Sequence, residues 1–96
     1  MNKIDLQEKY FKIVQKILQK YPYKFYVFGS RATGSAKKTS DLDLAIKEPI
    51  PTLELGKIYE DFDQSNLPYL VDIVDLTKVS QDFVKMIQDD LIEFPK

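Results

Sequence analysis

The chain of 96 residues contains no cysteine and no histidine. Without them it cannot build a thiol nucleophile, a Ser-His-Asp triad, the usual kind of zinc site or a disulfide framework. General bases and metal ligands must be carboxylates. Low-complexity tracts and internal repeats are also missing, and no apolar run approaches the length needed to span a bilayer. Met1 to Lys9 alternates charged and polar residues where a signal peptide would carry an apolar core. These absences predict a cytoplasmic protein without a membrane anchor, in keeping with the lack of cysteine.

What is present is ordinary for a globular protein: 44% hydrophobic, 30% charged and 12% aromatic residues. A chain of this length predicts a single domain over residues 1–96, with room for one sheet and one layer of helices. The formal net charge of −1 conceals an asymmetry, since ten of the 14 Lys and Arg fall in residues 1–47 and eleven of the 15 Asp and Glu in residues 48–96. A near-neutral total argues against a protein that grips an extended nucleic-acid backbone, which needs many phosphate contacts. A single triphosphate needs only a few.

Leu6, Tyr10, Ile13, Val14, Ile17, Leu18 and Tyr21 recur at helical spacing, which predicts an amphipathic helix with an Asp5–Glu8 capping box, stopped by Pro22. Phe25 to Phe28 is aromatic and β-branched and reads as a buried strand ending at Gly29. Ser30 to Ser40 is small and polar, enough for one helical turn and a loop. Asp41 to Ile46 alternates strictly, placing Asp41, Asp43 and Ala45 on one face and Leu42, Leu44 and Ile46 on the other. Thr52 can cap a helix that buries Leu55, Ile58, Tyr59 and Phe62, weakened by Gly56. Tyr69 to Leu76 reads as a third strand, and a last helix from about Ser80 buries Phe83, Met86 or Ile87, and Leu91. Strands separated by helices predict an α/β (α+β) sandwich with a small mixed sheet of three or more strands and helices mainly on one face.

Aspartate is a poor strand former, so three aspartates in two hydrophobic strands call for an explanation. An open, solvated sheet face is the simple one. It leaves uncompensated a repulsion of roughly 1 kcal/mol between like charges ~4 Å apart in water. Magnesium would relieve that repulsion, because it takes hard oxygen ligands and is held by one or two carboxylates together with substrate phosphates. Upstream, the Gly29-Ser30 pair after a strand offers backbone N–H groups and a hydroxyl to a phosphate. Arg31 is the best-suited nearby cation, since its fork matches phosphate oxygens. Asp72 and Asp75 have opposite parity, so only one can share the face of Asp41 and Asp43.

The order hydrophobic strand, Gly29-Ser30, ten intervening residues, Asp41-x-Asp43 and then Asp72 resembles the nucleotidyltransferase superfamily that includes polymerase β. More closely, Gly29 to Gly34, Ser40 to Ala45 and Val71 to Leu76 resemble the minimal nucleotidyltransferase family over nearly the whole chain. The resemblance implies the nucleotidyltransferase fold, two magnesium ions, and transfer of a nucleoside monophosphate, AMP from ATP, with release of pyrophosphate. Asp41 and Asp43 would bind the metals, Ser30 and the Gly29 backbone the phosphates, with Arg31 added as a nucleotide contact on its own chemistry, and Asp72 would bind a metal and take the proton of the acceptor hydroxyl. The pattern of one acid flanked by apolar residues selects Asp72 over Asp75.

With one domain expected over residues 1–96, an acceptor-binding domain is not expected within them. Many members of the resembled family are antitoxins paired with HEPN-domain toxins, some transferring AMP to a toxin tyrosine, so the expected role is a type VII antitoxin. A binding-only antitoxin, or a nucleotidyltransferase acting on a small molecule or RNA, are the alternatives. Tyr23, Tyr59, Tyr69, Ile92 and Phe94 are candidates for a partner surface, with core packing the expected use of most of them and the Leu91 to Phe94 tail the segment best suited to an interface.

Overall fold

The computed structural model describes residues 3–96, so Met1 and Asn2, at the start of the polar N-terminal stretch, lie outside the described residues. The periodic first segment forms helix α1 (Glu8–Leu18), which buries Val14, Ile17 and Leu18. It is shorter than its apolar spacing suggests. Gln7 is the N-cap, without a side-chain bond, and the expected Asp5–Glu8 box does not form. The Asp5 amide instead donates to Arg31 O at 2.8 Å, which draws the segment before α1 onto the middle of the chain.

Strand β1 (Tyr26–Phe28) and the short helix α2 (Ser30–Thr33) follow, then β2 (Leu42–Ile46), α3 (Thr52–Asp63) and β3 (Val71–Asp75). Pro51 is the N-cap of α3, and Thr52 is its first helical residue, so the expected Thr52 cap is not used. Ser80 does cap α4 (Gln81–Ile87), its hydroxyl accepting from the Phe83 amide at 3.2 Å. A 3-10 turn over Gln88–Asp90 leads into β4 (Ile92–Glu93). The expected choice between Met86 and Ile87 resolves in favour of Ile87, which is buried while Met86 is 69% exposed.

The strands lie in the order β3-β2-β1-β4. Strands β2 and β3 are parallel, joined by the α3 crossover, and β1 is antiparallel to both β2 and β4. The sheet is therefore mixed, as expected, with a fourth strand where the sequence suggested a free tail. Phe94 N–H donates to Phe25 O at 2.7 Å, and the Phe94 ring stacks on Phe11 with centroids 4.6 Å apart. Phe94 is fully buried. Phe94 thus belongs to the core, while Leu91 and Ile92 are half-buried and Glu93 is exposed along an outer strand of the sheet.

Registry divides the sheet into two unlike faces. Val27, Leu42, Leu44, Ile46 and Ile73 point to one side, where α1 and α3 cover them with Val14, Leu18, Ile58 and Phe62. Tyr21 O–H donates to Asp61 at 2.5 Å and ties the end of α1 to α3. On the other side, α4 lays Ile87 and Phe83 against Phe28, Ala45 and Val74. Helices therefore cover both faces, the second in part, because Phe28 and Ala45 are apolar enough to require it. Among the described residues, no helix is long and apolar enough to cross a membrane.

Gly56 lies exposed inside α3, and a methyl group there would meet nothing within 4 Å. Gly56→Ala should raise stability by about 0.5–1 kcal/mol, read from the urea midpoint at unchanged slope.

Candidate active site

Beyond the part of the sheet covered by α4, the second face carries Asp43 and Asp72, which are direct partners in the parallel β2–β3 register. Adjacent strands lie about 4.8 Å apart, so two carboxylates at matched positions stand side by side. Asp72 is exposed and Asp43 half-buried. Burial, and then the charges of Asp72 and Asp41, push the Asp43 carboxyl above the ordinary carboxylate range. All three aspartates therefore act on one electrostatic site. Asp41 is exposed and precedes β2, one residue short of the strand in which the sequence placed it.

Asp75 has the opposite parity and a different occupation. It is only 8% exposed. Its carboxylate accepts from the Thr77 amide at 2.8 Å, the Thr77 hydroxyl and the Ile50 amide at 3.3 Å. Burial raises its proton affinity, but these bonds and nearby Lys78 outweigh burial and hold the carboxyl below the ordinary range. Asp75 thus ties the end of β3 to the segment between β2 and α3.

At the end of β1 the chain turns at Gly29, with φ 72° and ψ −153°. Side chains other than glycine's rarely tolerate that conformation. A Cβ there would also lie 2.6 Å from Asp43 Oδ2, so the carboxylate would have to move aside. The turn is packed directly against the carboxylate. Gly29 O accepts from the Ala32 and Thr33 amides at 3.0 and 3.1 Å, which starts α2. The first amides of a helix, here those of Ser30 and Arg31, have no acceptor within it, so an anion beside the Ser30 hydroxyl would find donors there.

The structure gives Arg31 a different role from the expected phosphate contact. Arg31 is only 5% exposed. Nη1 donates to Asp5 O at 2.8 Å, Nη2 to Ser40 O at 2.9 Å, and Nε to Ser40 O at 3.2 Å, with longer bonds from Nη2 to Lys37 O and Lys38 O. The guanidinium carbon lies 4.1 Å from the Tyr69 ring centroid. With its nitrogens committed to carbonyls, Arg31 fastens the N-terminal segment and the 37–40 loop, and so fixes the residue before Asp41.

One further side chain reaches the site. Tyr59, on α3, directs its hydroxyl to the outer edge of β3, where it accepts from Ile73 N–H at 2.8 Å and lies 3.3 Å from both Ile73 O and Asp72 Oδ1. Helical spacing marked Tyr59 as part of a buried stripe, and its aromatic ring made it a candidate for a partner surface; it is half-buried. Nothing in that spacing signals contact with a carboxylate in the next strand.

Among the described residues, no group of three or more acidic side chains forms a metal cage by itself. Asp43 and Asp72 could share a cation that completes its shell with phosphate oxygens and water, which is the habit of magnesium. Two carboxylates at matched positions of adjacent strands, one exposed and one half-buried, are hard oxygen donors of the kind such an ion takes.

The model of the polymerase beta nucleotidyltransferase family matches residues 12–92. The chain belongs to that family. It is a nucleotidyltransferase. It is also similar to a Haemophilus influenzae protein named probable protein adenylyltransferase MntA, with 42% identity over 89 residues that span 88% of this chain and 78% of the relative. Among solved structures it resembles a toxin-antitoxin with AMP-PNP, with a TM-score of 0.70, covering 88% of this chain and 72% of the other at 22% identity. An MntA-HpeT toxin-antitoxin mutant gives a TM-score of 0.66, covering 92% and 71% at 22% identity. At such identities these likenesses establish the nucleotidyltransferase fold alone.

Gly29→Ala should cost about 1–3 kcal/mol of unfolding free energy through its strained backbone and should displace the Asp43 carboxylate, which a crystal structure of the variant would show. Asp75→Asn should destabilise the protein at neutral pH. The folded Asp75 carboxyl is lowered, so its stabilisation is complete above the unfolded value of about 4 and is lost as pH falls through the folded value. The stability gap between wild type and Asp75→Asn should therefore narrow in acid, as urea melts across pH would measure.

Proposed function

We propose that this nucleotidyltransferase transfers AMP from ATP to a tyrosine hydroxyl of a partner HEPN-domain toxin in the cytoplasm, and so acts as its antitoxin. The observation that carries the chemistry is the β2–β3 register, which sets Asp43 beside Asp72 and within reach of the Gly29-Ser30 turn. The relative named as a protein adenylyltransferase supports a protein acceptor. Likeness to toxin-antitoxin structures, one of them with AMP-PNP, supports a toxin partner and an adenine nucleotide.

In this reading Ser30 and the amides that open α2 receive the triphosphate. Asp41, Asp43 and Asp72 would hold magnesium, two ions by the family resemblance. When bound, magnesium supplies neutralisation of the phosphate charge and polarisation of the entering and leaving oxygens. Asp72, the exposed member of the pair, accepts the proton of the tyrosine hydroxyl. The phenolic oxygen forms a bond to the α-phosphorus, the bond from that phosphorus to the bridging oxygen breaks, and pyrophosphate departs with its electron pair. Most of the remaining catalysis is positioning, for which the strands and the glycine turn are rigid supports.

The nucleotide site opens at the end of a sheet face that α4 covers only in part. A separate cavity of about 510 Å³ lies between Gln7, Tyr10, Lys37, Lys38 and Tyr69, away from Asp43 and Asp72. Asp41 and Asp72 are exposed, so an acceptor approaching the carboxylates has an open face to dock on.

The protein, incubated with ATP labelled at the α-phosphate, magnesium and the HEPN protein encoded beside it, should label that protein on tyrosine. Asp41→Ala and Asp43→Ala should each lower labelling by more than about 100-fold, the upper range for loss of a mere supporting metal partner. Labelling that never reaches the partner, or that persists in both variants, would rule out the transfer. Neutralisation of the toxin by both variants in cells would reduce the role to binding.

A further inference from the structure

Strand β3 is an outer strand of the sheet. Leu70 O accepts from Leu42 N–H and Leu76 N–H donates to Ile46 O, so the peptide groups at even positions of β3 turn toward β2. Those of Ile73 turn outward, where water could satisfy them. A side chain from α3 is there instead. Tyr59 O accepts from Ile73 N–H at 2.8 Å, the shortest of its three contacts and the one that fixes the oxygen. Its single proton then has two acceptors at the same 3.3 Å, Ile73 O and Asp72 Oδ1.

The ring cannot easily leave this position. Tyr59 follows Ile58, which is fully buried under the sheet, and the Tyr59 ring itself packs against the main core. With α3 anchored and few torsions free, the hydroxyl is held at a set height along β3. Asp72, by contrast, is an exposed aspartate whose carboxylate would otherwise rotate in water. A neighbour that is fixed by the strand's own backbone and also reaches the carboxylate restricts that rotation.

We propose that Tyr59 is the positioning residue of Asp72, holding one carboxylate oxygen by its hydroxyl so that the other is presented to a divalent cation shared with Asp43. The proposal rests on the reading of Asp72 as a metal-binding carboxylate. Metal-binding groups are commonly oriented by such outer hydrogen bonds, whose loss costs about 10–100-fold in affinity or activity. The long 3.3 Å contact places Tyr59 at the lower end of that range, roughly tenfold.

The test uses Mn²⁺ as the probe, its binding followed by electron paramagnetic resonance with a non-hydrolysable ATP analogue. Wild type, Tyr59→Phe, Asp72→Asn and the double variant form the cycle. Tyr59→Phe keeps the ring and the core, and should weaken Mn²⁺ binding roughly tenfold while adding nothing to Asp72→Asn. In labelling assays it should lower kcat and leave KM for ATP nearly unchanged, since the Gly29-Ser30 turn is untouched. A residue that only closed the edge of β3 would act equally in both backgrounds. Equal effects, wild-type affinity in Tyr59→Phe, or no Mn²⁺ binding by the wild type each overturn the inference. A protein that binds Mn²⁺ in this Tyr59-dependent way but labels no partner upholds it and retires the proposed transfer instead.

Discussion

The parallel register of β2 on β3 is the constraint on which the rest depends. It pairs Asp43 with Asp72 and, one residue on, Leu44 with Ile73. Because side chains alternate with a period of two, these pairs are inseparable: a slip of β3 by one residue would bury Asp72 and expose Ile73. Burial of Leu42, Leu44, Ile46 and Ile73 under α1 and α3 therefore enforces the juxtaposition of two like charges. The repulsion is small against that burial, roughly 1 kcal/mol in water compared with about 1.5–3 kcal/mol for each large apolar side chain removed from it. The hydrophobic core holds in place a site that would not assemble by itself.

Around that register the neighbouring segments serve as supports. Gly29 brings backbone against Asp43 where any Cβ would collide with the carboxylate, so the glycine and the aspartate form a single packed unit. Arg31 fastens the loop leading to Asp41 by donating to the carbonyls of Asp5 and Ser40, with its planar group over Tyr69. Lysine, a point charge without a planar fork, could not make that set of bonds. Asp75, three residues after Asp72, spends its charge on Thr77 and Ile50. Similar residue types a few positions apart thus divide between structure and the candidate site according to which side of the sheet they face.

Much of this was legible in the linear order of residues, because alternation and helical spacing are local. Asp41 to Ile46 could be divided into two faces, the stripe of α3 could be named, and the pattern of Gly29, Ser30, Asp41, Asp43 and Asp72 pointed to the nucleotidyltransferase family to which the chain belongs. Errors fell where partners are distant. Asp5 looked like a helix cap and instead meets Arg31, a guanidinium suited to phosphate is occupied by carbonyls, and the segment after the last helix pairs with β1 as a fourth strand.

By itself, then, the sequence determined the element order as far as the last α-helix, the two-faced second strand, and the exclusion of thiol and imidazole chemistry, since each follows from residue type or spacing within one segment. Only the tertiary structure decided that Asp72 stands beside Asp43 while Asp75 lies under Ile50, that Gly29 leaves space for a carboxylate, and that Tyr59 reaches Asp72. Those outcomes depend on the register between strands and on the packing of α3 across the edge of β3, relations between segments that no period along the chain encodes.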